Sequence, residues 1–374
     1  MNELKIGWAA RDVSTEEPVN IPGQFHMRIS RGIMDPITVS ALVIDNGADL
    51  VAFVSVDCVV IRSGLLDEVR AAVHARNPEV PVQKILMGAT HTHCGASHYA
   101  DAAPGSAANI STAMLGQVPH DGVEVASSDQ YRHFLAACTA DAVCEAYECR
   151  APGGIAYGYG YAVVSHSRRV VYFDDLSKRP GAARNSTHGL NGHAAMYGNT
   201  NDPQFSHYEA GADHFINLLY TFDADGRLTG AIINVPAPSQ NSENEYRLSA
   251  DYWHDVRTAV RARHGDIFLL PQCAAAGDLS PRILHYRQAQ ARRFRLKYCT
   301  DQTELAARKD IAERIAGAFD EVLDWARKDI KTALPVSHVV DTVGLSRRLI
   351  TDDEREYARQ GLEELNRKPF KTDG

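Results

Sequence analysis

The chain reads as a layered α/β domain, and three observations predict it. Short runs rich in Val, Ile and Phe near the N-terminus alternate with stretches whose apolar residues recur every three or four positions. The order strand, helix, strand before residue 91 is that of a crossover unit, which lays a helix on a sheet. Of the 374 residues, 44% are hydrophobic and 23% charged, enough for the core of one large or two average domains.

The elements follow in order. Strands are expected at 4–9, 38–44 and 50–56, with Asp45-Asn46-Gly47 as the turn between the last two. Leu65, Leu66, Val69 and Val73 mark a helix over 63–74, and the apolar run 84–87 is a strand that leads to His91. Residues 97–127, dominated by Ala, Gly, Ser and Pro, read as a loop acting as a lid. A helix over 129–149 and a strand over 155–163 come next, then a second long loop, 179–211, carrying His188, His193 and His207. Strands at 215–222 and 228–235 flank an Asp-Gly turn and form a hairpin. A helix over 250–263 opens after Ser249 as N-cap, and a buried strand follows at 266–270. Ile311, Ile315, Phe319, Val322 and Trp325 set a helix over 302–328; a strand at 339–345 and a charged helix at 352–366 complete the chain. No repeat of solenoid length is present.

The net charge of -8 is spread along the chain, with no basic stretch beyond pairs such as Arg292-Arg293. That argues against nucleic acid and anionic membranes and for a small-molecule partner, with a homo-oligomer left open. No apolar run approaches the ~20 residues of a membrane span, and no secretory signal is visible, so a cytoplasmic location is expected. The seven cysteines form no C-x-x-C pair and read as reduced thiols; Cys138, Cys144 and Cys149 fall on a helix as small core residues.

Chemistry concentrates in Met87-Gly88-Ala89-Thr90-His91-Thr92-His93-Cys94-Gly95. If the strand continues, His91 and His93 share one face, and two imidazoles on one face can share one metal ion. Zinc takes imidazole nitrogen at roughly 2.0–2.1 Å, and a catalytic zinc needs about three protein ligands, so this is half a site. The plainer alternative is one histidine on a backbone carbonyl and the other in solvent. Gly277-Asp278-Leu279-Ser280-Pro281 lies where a strand ends, with Pro281 restricting Ser280 to extended backbone; it is either a plain turn or a serine presented for attack or for a metal-bound water. Cys94 and Cys273 flank the two motifs without an evident base. His98, His120 and His133 read as surface or lid residues.

Taken together, the Thr90-to-Gly95 and Gly277-to-Pro281 motifs resemble the paired signatures of the neutral, non-lysosomal ceramidase family, and closer to its bacterial relatives. The likeness runs from Ile6-Gly7-Trp8-Ala9-Ala10-Arg11-Asp12-Val13 through Val54-Ser55-Val56-Asp57 to Ser280. It implies two mixed β-sheets flanked by helices, with residues 1–350 as a catalytic domain lacking its C-terminal part and 351–374 as a charged helical tail. It also implies one zinc per chain, bound by His91 with His93 beside it as ligand or proton shuttle. Ser280 is the implied nucleophile or zinc-bound partner, and Asp278 would orient it or an imidazole. Arg168, with Arg169 as an equal candidate, would hold the substrate carbonyl.

The chain also departs from the family. The stretch Asn234-Val235-Pro236-Ala237-Pro238-Ser239-Gln240 lacks the histidine that supplies the family's second ligand, and nothing after Leu345 matches the segment bearing its Glu and Tyr ligands. His214, His254 at a helix N-terminus and Asp57 at a strand end are the candidate substitutes, Asp57 as ligand or as orienter of an imidazole. The expected activity is zinc-dependent hydrolysis of an amide or ester in a substrate other than a long-chain ceramide, since the polar loop 179–211 suits a polar molecule. The rival is a non-catalytic binding or scaffold protein with an incomplete metal site.

Overall fold

Alternation along the first strands dictates a sheet covered on both faces. A computed structural model describes residues 3–24, 28–99, 122–180 and 192–367. In strand β2 (Thr38–Asp45), Val39, Ala41 and Val43 enter one apolar cluster while Leu42 and Ile44 enter another on the opposite face. A strand buried on both sides reads as a continuous apolar run, which is what 38–44 shows.

The principal sheet has eight strands in the order β12-β11-β10-β5-β1-β2-β3-β4. Its members are β1 (Lys5–Asp12), β2, β3 (Leu50–Val56), β4 (Ile85–Ala89), β5 (Ala151–Tyr161), β10 (Phe215–Asp223), β11 (Leu228–Val235) and β12 (Phe268–Cys273). It is mixed: β3/β4 and β11/β12 are parallel and the other neighbours antiparallel. Helix α1 (Ser63–Arg76) makes the expected crossover from β3 to β4, burying Leu65, Val69 and Val73. Helix α2 (Ser128–Glu148) starts with a reciprocal cap in which Ser127 Oγ accepts from the Gln130 amide and the Gln130 side chain accepts from Ser127.

Helices α3 (Tyr252–His264) and α5 (Thr303–Ala326) cover the same face beside β5 and β10. The close approach of α5 requires glycine beneath it, for a Cβ at Gly158 would stand 2.4 Å from Val322 and 2.8 Å from Trp325. The α/β class with sheets flanked by helices thus holds. The remaining strands form a three-stranded antiparallel sheet of β7 (Arg169–Tyr172), β8 (Ala194–Met196) and β9 (Phe205–Tyr208), and a pair, β6 (His166–Ser167) with β13 (Leu279–Ser280).

Several expectations are corrected. Loop 179–211 contributes β8 and β9, whose three and four residues are too short to show a period. The helix α4 (Arg287–Tyr298) was not anticipated because it buries only Phe294. Residues 339–345 form no strand: they run unpaired, and Val339 and Leu345 are exposed. The cap of α3 is Asp251, which accepts from the Tyr252 amide; the Ser249 hydroxyl bonds Asp35 instead. The charged helix appears as α6 (Asp352–Arg367). Most of the expected lid, with His120, and the part of the second loop bearing His188 lie outside the described residues. Among the described residues no helix is long and apolar enough to cross a membrane.

Candidate functional site

The two histidines meet, but not by strand alternation. Strand β4 ends at Ala89, and His91 takes a left-handed backbone conformation with φ of 62°. That geometry costs a residue with a Cβ roughly 1–2 kcal/mol and persists only where the surroundings enforce it. The enforcement comes from the 239–251 loop: Ser239 Oγ donates to the Thr90 carbonyl, His93 N to the Ser239 carbonyl and Thr92 Oγ1 to the Ser249 carbonyl. The fully buried Arg28 donates to the carbonyls of Pro22, His93, Glu243 and Glu245, tying three loops together. Gly23, with φ of 108°, closes over the His93 ring, where a Cβ would come within 2.7 Å of Cγ.

The rings stand edge to face with centroids 5.0 Å apart, and their Nε2 atoms are separated by 3.4 Å. His91 Nδ1 lies 2.7 Å from the Val59 carbonyl, which can only accept, so Nδ1 carries the proton and Nε2 presents a lone pair. Burial, together with the neighbouring His93 and Arg168, holds the His91 pKa below its ordinary value and keeps the ring neutral. His93 Nδ1 faces Glu243 Oε2 at 3.3 Å, which favours a proton there too, and Gln240 Nε2 stands 2.8 Å from His93 Nε2. The two Nε2 atoms therefore face each other, with the Gln240 amide directed at that of His93.

Glu243, Arg282 and Gln240 were not anticipated from sequence. Arg282 Nη1 lies 2.6 Å from Glu243 Oε1, so the segment after Ser280 reaches the histidine pair through a carboxylate. Burial pushes the Glu243 carboxyl up, but His93, Arg282 and Arg28 outweigh it and hold the pKa below the usual range.

Beside His91 opens a cavity of ≈ 370 Å³ lined by His91, Arg168, Val59, Ile61, Met87 and Cys273. Arg168, whose backbone N–H donates to the Asp278 carbonyl, donates from Nη2 to the Gly277 carbonyl and leaves Nε without a partner. Arg169 is instead paired with Glu209. Ser280 is fully buried in β13 opposite His166, and its Oγ accepts from the Arg282 amide at 3.1 Å. The Asp278 side chain is exposed, so what this residue visibly orients is Arg168, through its carbonyl.

Asp57 is engaged elsewhere. Its oxygens take both Nη atoms of Arg257, at 2.8 and 3.1 Å, and the amide and hydroxyl of Thr38, which leaves the carboxylate committed to a buried ion pair. His254 sits on the first turn of α3 with no hydrogen bond from its ring to either imidazole. His214 immediately precedes β10, its Nδ1 buried without a partner. His207 bonds Ser206, His193 approaches the Tyr172 carbonyl and His133 pairs with Glu68. The thiols of Cys94 and Cys273 are pushed up to about 12 and about 11 by burial, the reverse of activation. Among the described residues no three His, Cys, Asp or Glu side chains converge to hold a metal ion.

No family model matches the chain, and no curated protein matches it. Its fold is that of solved ceramidases. The neutral ceramidase from Pseudomonas aeruginosa is similar over 87% of this chain and 45% of that one, with a TM-score of 0.62 and 21% identity. A ceramidase complexed with C2 is similar over 87% and 44%, with a TM-score of 0.60 and 20% identity. The chain thus spans less than half the length of these structures.

Proposed function

We propose that the chain is a hydrolase of an amide or ester bond in a small substrate, with the His91–His93 pair at its centre. The observation that carries this is the pair of Nε2 atoms facing each other at 3.4 Å, with His91 Nδ1 bonded to the Val59 carbonyl and His93 Nδ1 3.3 Å from the Glu243 carboxylate. Metal-bound imidazoles are held in this way, their other nitrogen donating to a carbonyl or carboxylate. Nitrogens bound at roughly 2.0–2.1 Å around a tetrahedral zinc stand roughly 3.3–3.4 Å apart. These two donors fit zinc, which when bound would polarise a carbonyl and lower the pKa of a water. The ceramidase-like fold supports the class of reaction.

The protein's own groups then have defined tasks. Val59 fixes the tautomer of His91, Glu243 sets a negative charge beside His93 Nδ1, and Arg168 borders the cavity beside His91, where its guanidinium can meet a developing oxyanion. A ≈ 370 Å³ cavity is at the small end of ligand sites, which favours a short substrate over a long-chain lipid. Ser280 and Asp278 remain in the proposal as nucleophile and support, and Ser280→Ala is expected to keep metal and lose turnover; full activity would remove the serine.

The burial of Ser280 and the two-donor site favour a second reading, a binding protein without catalysis. Elemental mass spectrometry of wild type and His91→Ala, followed by short-chain amide and ester assays, separates the two. About one zinc per chain, absent from His91→Ala, with turnover supports the hydrolase. Metal without turnover on either substrate class sinks it and leaves the binding reading.

A further inference from the structure

We infer that Gln240 is the third donor of this centre, making it a site for a divalent transition metal built from two imidazoles and one amide oxygen. The inference rests on the reading that His91 and His93 hold a cation. Gln240 belongs to the stretch 234–240, which contains no histidine, and the chain returns it to within 2.8 Å of His93 Nε2. The residue is 4% exposed, and its Oε1 is buried without a hydrogen-bond partner. An orphaned buried acceptor costs about 1–3 kcal/mol, so its presence next to a pair of converging ring nitrogens calls for a partner.

Without metal the amide is a plug: Nε2–H donates to the lone pair of His93 and occupies it. Half a turn about the terminal bond exchanges the two amide atoms and puts Oε1 where Nε2 stands, 2.8 Å from the His93 Nε2 that also faces His91 Nε2. The side chain thereby changes from blocking a ligand to being one. Three nearby groups are already committed: Glu243 holds His93 Nδ1 and Arg282, Asp57 is paired with Arg257, and Cys94 donates its thiol to the Ser242 carbonyl. A neutral oxygen in place of a third imidazole shifts the donor set from one suited to zinc toward one that also takes manganese.

The test is calorimetric titration of the metal-free chain with Zn²⁺ and, separately, Mn²⁺, for wild type, Gln240→Leu, Gln240→Glu and His91→Ala. The expected result is one site in wild type, loss in His91→Ala, at least ~10-fold weaker binding of both ions in Gln240→Leu, and at least ~10-fold tighter Mn²⁺ binding in Gln240→Glu, where a carboxylate replaces the amide oxygen. Wild-type affinity in Gln240→Leu overturns the role of Gln240 and leaves the histidine pair standing. If Gln240→Leu fails to fold by circular dichroism, Gln240→Glu decides, and an unchanged Mn²⁺ affinity overturns the inference. No binding of either ion by wild type overturns this inference together with the metal reading beneath it.

Discussion

Two sets of buried polar groups in the molecule have been finished differently. Around Arg257 and Arg308 the charges are matched: Arg257 takes both oxygens of Asp57, while Arg308 donates to Asp35, Asp255, Ser242 and Ser249. Around His91 and His93 the matching stops short, with facing ring nitrogens, an orphaned Gln240 oxygen, an unpartnered Arg168 Nε and a left-handed His91. A buried polar network that is complete holds a fold together. One left incomplete around two converging ring nitrogens leaves donors free to meet something else.

The largest expected effect tests the complete cluster. Arg257→Met leaves Asp57 charged and buried and should cost about 3–5 kcal/mol in denaturant unfolding. The double change Asp57→Leu/Arg257→Met should recover most of that loss. Metal content unchanged in the double variant would confirm that Asp57 serves the fold, and metal lost from it would return Asp57 to the centre.

A smaller effect tests a second buried histidine whose ring nitrogens have no partner. His98 is buried, and burial, with the charges of Arg62 and Arg132, lowers its pKa from 6.5 to about 4. As pH falls below 6.5 the unfolded chain takes up the proton first, so stability should decline between 6.5 and about 4 and this contribution should then level off. His98→Asn should flatten that decline in thermal melts recorded across the range; an identical slope would remove His98 as its source.

The smallest effect sharpens the comparison most. His91→Gly removes the side chain and relieves the left-handed strain, so stability should hold or rise by about 1 kcal/mol while metal is lost. A fall of several kcal/mol would mean that the centre, like the Arg257 cluster, supports the fold.

What the sequence disclosed follows the range of the interactions concerned. The β3-α1-β4 crossover was legible because Leu65, Val69 and Val73 repeat locally, and α5 because its apolar stripe is long. Helix α4 was not, since its one buried residue imposes no period, and 339–345 resembled a strand by composition but finds no partner. Of the centre, His91 and His93 were visible as a spacing. Gln240 and Glu243 were not, because they approach from about 150 positions away in a loop that reads as turn residues. The partner of Asp57 was hidden for the same reason: Arg257, which pairs with it, lies 200 residues on.

The strand that delivers His91 is the last in its sheet. Among the described residues β4 is bonded to β3 on one side and to no strand on the other. Alternate amides of a strand point to opposite sides, so those of β4 turned from β3 have no ladder to protect them. In deuterium the two sets should exchange at different rates, and both faster than β1, which is held between β2 and β5. The histidine pair thus hangs from an edge of the sheet, and occupancy of the centre should be legible at a distance as slowed exchange along 85–89.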